Sequence, residues 1–425
     1  MAAEQLSTRC CVVGGGPCGI MLGFLLARAG IDVVVLEKHA DFLRDFRGDT
    51  IHPSTLDVMA ELGLLEDFLK LPHQKAPNIG AFFDGHPYQF ADFRYLPTRC
   101  KFVALMPQWD FLNFLADRGK SYPSFHLRLR AEAVDLIEDG NRVTGVRVDT
   151  PDGALEIRAD LTVGCDGRHS TVRERARFTV DDLGAPMDVL WFRLPKKASD
   201  PDETMGRFEA GRIVVMLDRG DYWQCAFVIR KGAIEETKRA GLPAFRQSIA
   251  RLAPIFADRV GELKDWDQIK LLTVAVNRLP RWHRPGLLCI GDAAHAMSPI
   301  GGVGVNLAVQ DAVVAANLLW QPLKRGTLRE DDLEAVQRRR EFPTRVTQRL
   351  QVIVQNNVID RALGAGQSLP APWLLRLFSR FPPLRAIPAW LVGRGGGRST
   401  CTRPRPRPVQ ANTSPFSFVI PAEPQ

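Results

Sequence analysis

Residues 290–308 read IGDAAHAMSPIGGVGVNLA and hold the residue types in this chain best suited to chemistry. The apolar run Leu287–Ile290 is expected to be a buried strand, and Gly291-Asp292 sets a carboxylate at its tip. A carboxylate there can accept hydrogen bonds from sugar-like hydroxyls. Pro299, Gly301, Gly302 and Gly304 mark a loop where backbone can approach a flat ligand, because glycine has no Cβ to hold it off. Val305 closes this loop. A run of helical character starts at Asn306 and continues to Leu319, with its positive end towards that ligand. The pattern suits a large, planar, anionic molecule.

A second constellation lies near the N-terminus. Arg9–Val13 reads as a short strand, Gly14-Gly15-Gly16-Pro17-Cys18-Gly19 as a turn, and the residues up to Ala29 as a helix. Ile31–Leu36 is the next strand and ends in Glu37. This is a βαβ unit with GxGxxG and an acid about 20 positions on, the dinucleotide fingerprint. Gly14 allows the turn, Gly16 admits a pyrophosphate, and Gly19 lets the helix pack on the strand. Glu37 would take ribose hydroxyls. A glycine-rich turn that binds nothing is the plainer alternative, but it accounts for neither the flanking elements nor the acid. By itself the unit does not separate NAD from FAD.

A third motif follows the expected strand Asp160–Gly164: Cys165-Asp166-Gly167-Arg168-His169-Ser170-Thr171-Val172-Arg173. With GxGxxG, DGxxSxVR and GDAAH in that order, the chain from about Thr8 to about Gly393 resembles the class A flavoprotein monooxygenases, the para-hydroxybenzoate hydroxylase family. Gln108 in MPQWDFLNFLA and Arg47 in FRGDTIHPSTLDVM match family positions that contact FAD. The resemblance implies an α/β fold: a Rossmann-like FAD-binding domain of the glutathione-reductase type, an inserted and mostly antiparallel β-sheet substrate domain, and C-terminal helices. It implies FAD as cofactor and NADPH or NADH as co-substrate. It also implies hydroxylation by O2 of an electron-rich aromatic small molecule, phenolic or polyketide-like, through a flavin C4a-hydroperoxide. Asp166 and Arg173 would serve both FAD and the nicotinamide. FAD would extend from Gly14–Gly19 and Glu37, past Asp292, to a ring against Gly301–Asn306. The protein then supplies position, electrostatics and a dry pocket. No catalytic base is identified. His52, His283 and His295 are candidates by type only, and His52 and His295 read as structural.

The wider sequence must supply the elements that hold these motifs. Its 425 residues, 45% hydrophobic and 24% charged, suit a soluble globular protein of two or three domains. The expected division is a discontinuous FAD-binding domain (1–75, 101–180 and 278–330), a substrate sheet (76–100 and 181–277), C-terminal helices (331–393) and a disordered Arg/Pro-rich tail (394–425). Strands are expected at Met187–Leu194, Arg212–Leu217, Tyr222–Ile229 and Ile269–Val276. Trp191, Phe192, Trp223 and Phe227 could wall an apolar pocket or fill an ordinary sheet core. Glu330–Val354 reads as one charge-rich helix. Trp373–Val392 is a basic amphipathic segment of a kind that can lie on a membrane, but Pro382, Pro383 and Pro388 interrupt it, and it reads as short helices packed on the cofactor domain.

The net charge of +8 is concentrated at the C-terminus, where the residues from Arg394 on contribute about half of it. That tail lacks apolar residues for a core and lacks the aromatic interleaving of a nucleic-acid arm. No uncharged stretch reaches transmembrane length. The run Cys10–Ala27 is broken by glycine and proline and does not read as a targeting signal. None of the eight cysteines forms CxxC or a metal-ligand spacing, which fits a reducing cytoplasm. Expected partners are the aromatic substrate and O2, and the expected state is a monomer or homodimer. Two other functions stay open: a flavin dehydrogenase or reductase without oxygen insertion, and a catalytically silent flavoprotein acting as an interaction module. A flavin-dependent halogenase is disfavoured because the WxWxIP motif is absent.

Overall fold

Strand Glu4–Val13 forms the spine of the larger sheet. It pairs in parallel with Val33–Glu37 on one side and with Gly153–Gly164 on the other. Phe125–Leu129 continues the parallel ladder beyond Val33–Glu37, and Leu287–Cys289 continues it beyond Gly153–Gly164. Cys10–Val13, Val33–Leu36 and Leu287–Cys289 are unbroken apolar runs and fully buried, as expected of parallel strands covered on both faces. The antiparallel strands Glu132–Asp139 and Arg142–Thr150 are added to the first half of Gly153–Gly164. The computed structural model describes residues 4–43, 50–201, 204–364, 366, 369–394 and 400–401. Arg47 and residues 402–425 lie outside these.

The cover on this mixed α/β body is helical. Helix Pro17–Arg28 buries every residue from Cys18 to Ala27, because it is apolar all round and packed on all sides. It lies against helix Gly304–Arg325, which also contacts helix Glu330–Val354. The segment Ile300–Arg325 is long and apolar enough to cross a membrane, but 72% of its apolar window is buried inside the protein.

A second sheet has seven strands, in the order Lys270–Leu272, Met187–Pro195, Tyr222–Arg230, Arg212–Asp218, Met205–Glu209, Asn78–Phe83, His86–Asp92. All neighbours are antiparallel except Met205–Glu209 with Asn78–Phe83. The expected strand Ile269–Val276 shortens to Lys270–Leu272. Beyond it the backbone bonds to side chains instead of a ladder: Val274 N donates to Asp188 Oδ1 (3.0 Å) and Thr273 O accepts from Arg168 Nη1 (3.2 Å). Helices Trp373–Arg380 and Ala386–Arg394 pack on the edge strand His86–Asp92. Arg394 ends a helix, and residues 400–401 dock on the body. Asn317 Nδ2 donates to Thr400 O (2.7 Å), Cys401 N donates to Glu61 Oε2 (2.8 Å), and Cys401 packs on the main core.

A buried carboxylate joins these elements. Asp311, on helix Gly304–Arg325, is fully buried. Its Oδ2 accepts from Gly291 N (3.0 Å) and bonds His295 Nε2 (2.6 Å), and its Oδ1 accepts from Arg340 Nε (2.7 Å). Burial opposes ionisation, but His295 and Arg340 outweigh it and hold the carboxyl at about 2. Arg340→Leu should therefore strip Oδ1 of its buried counter-charge, leaving Asp311 only His295 and Gly291 N, and destabilise the protein by about 3 kcal/mol, measured by chemical denaturation at neutral pH. In the wild type, this folded-state pKa lies below the unfolded value of about 4. The stability it contributes is present above that value and falls away as pH drops towards 2. Asp311→Asn should flatten that acid-side slope by about one proton.

Candidate active site

A cavity of about 1720 Å³ is lined by residues from both sheets. Pockets for one small ligand typically occupy about 300–1,000 Å³, so this one has room for a cofactor and a second molecule. Of the residues singled out from sequence, Gly14, Gly16, Glu37, Gln108, Asp166, Asp292, Pro299, Gly301, Gly302, Gly304 and Val305 line it. Gly19, Arg173 and Asn306 are not part of the lining, and Arg47 lies outside the described residues.

The glycines divide into two kinds. Some are interlocks. A Cβ on Gly19 would lie 1.9 Å from the Gly14 carbonyl oxygen, and one on Gly14, whose φ is +105°, would lie 2.5 Å from the Cys165 carbonyl oxygen. The first helix, its turn and the end of Gly153–Gly164 are thus pressed together. Others are cradles, because a Cβ on Gly16 or Gly304 would meet no protein atom within 4 Å. Helices Pro17–Arg28 and Gly304–Arg325 both start at the cavity. Neither has a side-chain cap or an acid in its first turn. Their first N–H groups and positive ends remain available to an anionic ligand. A long molecule with phosphate near one cradle and a flat ring near the other fits this geometry.

The polar side chains are arranged around those cradles. Glu37 accepts from Gly15 N (3.2 Å) through Oε2 and from His39 N (3.0 Å) through Oε1, which fixes its carboxylate beside the first glycine turn. Asp292 is partly exposed to the cavity, with Arg168 Nη2 3.9 Å from its Oδ2. Burial pushes the Asp166 carboxyl up, against the opposing effect of hydrogen bonds from Ser170 Oγ (2.5 Å) and Val172 N (3.1 Å). Arg173 turns to backbone, donating to Arg168 O (2.6 Å) and Ala293 O (3.3 Å). It therefore ties the third motif to the Asp292 turn. Asn306 is fully buried, and its Oδ1 accepts from Ser54 Oγ (2.6 Å) and Thr55 Oγ1 (2.8 Å). That anchors the start of the helix to helix Pro53–Glu61.

Two histidines act as struts. His52 Nε2 lies 3.1 Å from Gly302 O, which also accepts from Thr50 Oγ1 (3.0 Å). Burial lowers the His52 imidazole to about 4, only partly opposed by its backbone hydrogen bonds, so the ring is neutral at physiological pH and braces the glycine loop. His295 belongs to the Asp311 network. His283 sits in an edge strand facing Glu330 and does not line the cavity.

The far half of the cavity is apolar. Phe83, Met187, Trp191 and Phe208 come from the seven-stranded sheet, and Val358, Leu375 and Phe378 from the C-terminal segments. Phe83 and Phe208 stack with centroids 4.7 Å apart. Of the four aromatics weighed from sequence, Trp191 reaches the cavity. Phe192, Trp223 and Phe227 fill the core on the opposite face with helix Leu242–Leu252. Strand alternation, combined with knowledge of one inward residue, would have separated them. Phe83 belongs to an aromatic stretch, Phe82 to Phe90, that points to the substrate sheet, but nothing local marked Phe208. The C-terminal wall had no signal at all, since its contact with the sheet is purely tertiary.

Comparison with known proteins agrees with this geometry. The family model described as "FAD binding domain" matches residues 7–350. The 6-methylpretetramide 4-monooxygenase of Streptomyces rimosus is 32% identical over 389 residues, spanning 91% of this chain and 92% of that one. Rifampicin monooxygenase of Streptomyces venezuelae is 31% identical over 328 residues, spanning 73% of this chain and 63% of that longer protein. Among solved structures, p-nitrophenol 4-monooxygenase from Pseudomonas putida DLL-E4 shares the fold with a TM-score of 0.75 at 22% identity, over 93% of this chain and 99% of that one. The chain belongs to the FAD-dependent monooxygenases, and FAD is its cofactor.

Proposed function

We propose that this protein uses NAD(P)H and O2 to hydroxylate a large, electron-rich aromatic molecule, phenolic or polyketide-like, held against the seven-stranded sheet. The observation that carries this reading is one continuous cavity with a backbone-built cofactor cradle at one end and aromatic walls at the other. Relatives named for 6-methylpretetramide and rifampicin support the substrate class. We assign the parallel sheet and its helices to a Rossmann-like FAD-binding domain and the seven-stranded sheet, with the C-terminal helices, to the substrate. Eight free cysteines support a reducing cytoplasm as the compartment.

FAD, when bound, takes electrons from NAD(P)H and activates O2. The protein's contribution is position. Gly14, Gly16 and the start of helix Pro17–Arg28 would receive the pyrophosphate, and Glu37 would meet the ribose hydroxyls. Gln108 and Asp292 would bond the middle of the cofactor. Pro299, Gly301, Gly302, Gly304 and Val305 would lie along the ring, and the helix that starts there favours negative charge on it. Asn306 and Arg173 act behind this surface, as an anchor for the helix and a tie for the Asp292 turn. Asp166 is assigned to the cofactor surface that also meets the nicotinamide, and Arg47 is assigned to FAD by the resemblance. The apolar far walls keep water from the reacting atoms.

The direct experiment incubates purified protein with NADH or NADPH and a panel of phenols, quinolones and polyketides under labelled O2, with mass detection. One labelled oxygen atom per product is expected. Reduction of a substrate without label would overturn the proposal in favour of a dehydrogenase. Absence of any NAD(P)H oxidation across the panel would favour a silent flavoprotein.

Two variants test the cradle. Asp292→Ala should lose about 1.5–3 kcal/mol of FAD affinity, as for a hydrogen bond to a charged acceptor, while Asp292→Asn should lose less. Titration with FAD by fluorescence quenching measures both, and unchanged affinity in Asp292→Ala would remove Asp292 from the site. Gly304→Val should leave thermal stability within about 1 kcal/mol, since the added atoms meet open cavity rather than protein. Its product formed per NAD(P)H oxidised should collapse. Normal coupling in that variant would mean the loop does not face the reacting ring.

A further inference from the structure

Among the described residues the cavity does not close at its outer end. Leu350, Ile353, Val354, Trp373 and Leu374 line it and are also exposed, Trp373 to 70% and Ile353 to 55%. They come from the end of helix Glu330–Val354 and from helix Trp373–Arg380. The latter, WLLRLFSR, has no fully buried residue. It packs on strand His86–Asp92 beside helix Ala386–Arg394, which adds exposed Ile387 and Trp390. Large exposed apolar side chains gathered at the mouth of an apolar cavity mark a surface that meets another apolar phase.

The charge around this rim is mostly basic, with Asp360 beside Arg361 as an exposed exception. From Arg361 to Arg394 the sequence contains five arginines and no Asp or Glu. Among the described residues Arg349, Arg361, Arg376 and Arg380 form no ion pair. In helix Trp373–Arg380 the positions of Trp373, Leu374 and Leu377 share one side, and Arg376 and Arg380 share the flank. This is the pattern of a helix lying in a membrane interface: low overall hydrophobicity, an aromatic and aliphatic face, and a basic edge.

We propose that this face docks on an anionic lipid surface, with the cavity mouth turned to the bilayer so that an apolar substrate enters from the lipid phase. An acidic protein would satisfy the arginines but not Trp373, Leu374, Ile387 and Trp390. A lipid surface satisfies both, with indole rings at headgroup level and guanidinium groups on phosphates. The docking rests on the surface alone and not on the reaction assigned above.

Flotation of the FAD-loaded protein with vesicles tests it, using phosphatidylcholine alone against phosphatidylcholine mixed with phosphatidylglycerol, at low and high salt. Wild-type protein is expected to float with the mixed vesicles, less so at high salt, and little with phosphatidylcholine. Trp373→Ala/Leu374→Ala and Arg349→Glu/Arg380→Glu should each lower the partition coefficient by about tenfold or more. FAD content and far-ultraviolet circular dichroism should stay at wild-type values, showing that the variants fold. Failure of the wild type to float, or flotation unaltered in both variants, overturns the proposal. So does a concentration-dependent dimer, seen by sedimentation, that is lost in Trp373→Ala/Leu374→Ala, because it assigns this face to a second copy.

Discussion

The bond from Gly291 N to the buried Asp311 carboxylate is the constraint on which the site depends. Gly291 begins the turn that presents Asp292, and its φ of +61° leaves its N–H turned inward, away from any strand. An unpaired N–H at that depth would be costly. Asp311 answers it from the second turn of the helix whose first turn borders the glycine loop. One carboxylate therefore sets the distance between the strand tip and the helix start. His295 and Arg340 keep it ionised, which a lone buried carboxylate would not be. Arg340 belongs to helix Glu330–Val354, whose far end reaches the rim of the apolar cavity. The cofactor turn and the substrate mouth are thus mounted on the same pair of helices.

A second constraint is steric. Gly19, Gly14 and Cys165 are stacked so closely that no side-chain atom fits between them. That contact fixes the first and third motifs to each other before any ligand arrives. Arg173 extends the same logic, because its guanidinium bonds two carbonyls, one in its own motif and one beside Asp292. Three segments separated by more than a hundred residues are joined here, two by close backbone packing and the third by one guanidinium held on two carbonyls.

This explains what the sequence made legible. The glycine turns, Asp292 and the order of the three motifs can be read because each demands a particular residue type at a particular place. Gly16 could be told from Gly14 and Gly19 by its place in GxGxxG, whereas Gly304 could be told from its neighbouring glycines only by what a Cβ would meet. Arg173 and Asn306 show the limit more clearly. The Arg173 guanidinium bonds two carbonyls, and Asn306 Oδ1 accepts from Ser54 and Thr55, more than 240 residues away in the chain. No local pattern carries such pairings. Cys401 is a similar case, lying in a polar, proline-rich stretch and still held by Glu61 and the main core.

The apolar half of the cavity was illegible for a different reason. Along Met187–Pro195 every residue is plausible strand, and only pairing decides which parity faces inward. Val189 and Trp191 line the cavity, whereas Leu190 and Phe192 pack under helix Leu242–Leu252. A slip of one residue would exchange the two sets. The opposite wall comes from segments far along the chain: helices Trp373–Arg380 and Ala386–Arg394 meet the edge strand His86–Asp92, and Asp360–Gly364 packs on Arg212–Asp218 and Tyr222–Arg230. Such a wall needs bulk and apolarity but no fixed residue type. The cofactor half cannot change without breaking an interlock, whereas the substrate half can be repacked one side chain at a time. If FAD lies in the glycine-built half, as proposed, the same scaffold could carry different substrates on an unaltered cradle, with their identity set by the shape of that wall rather than by any motif.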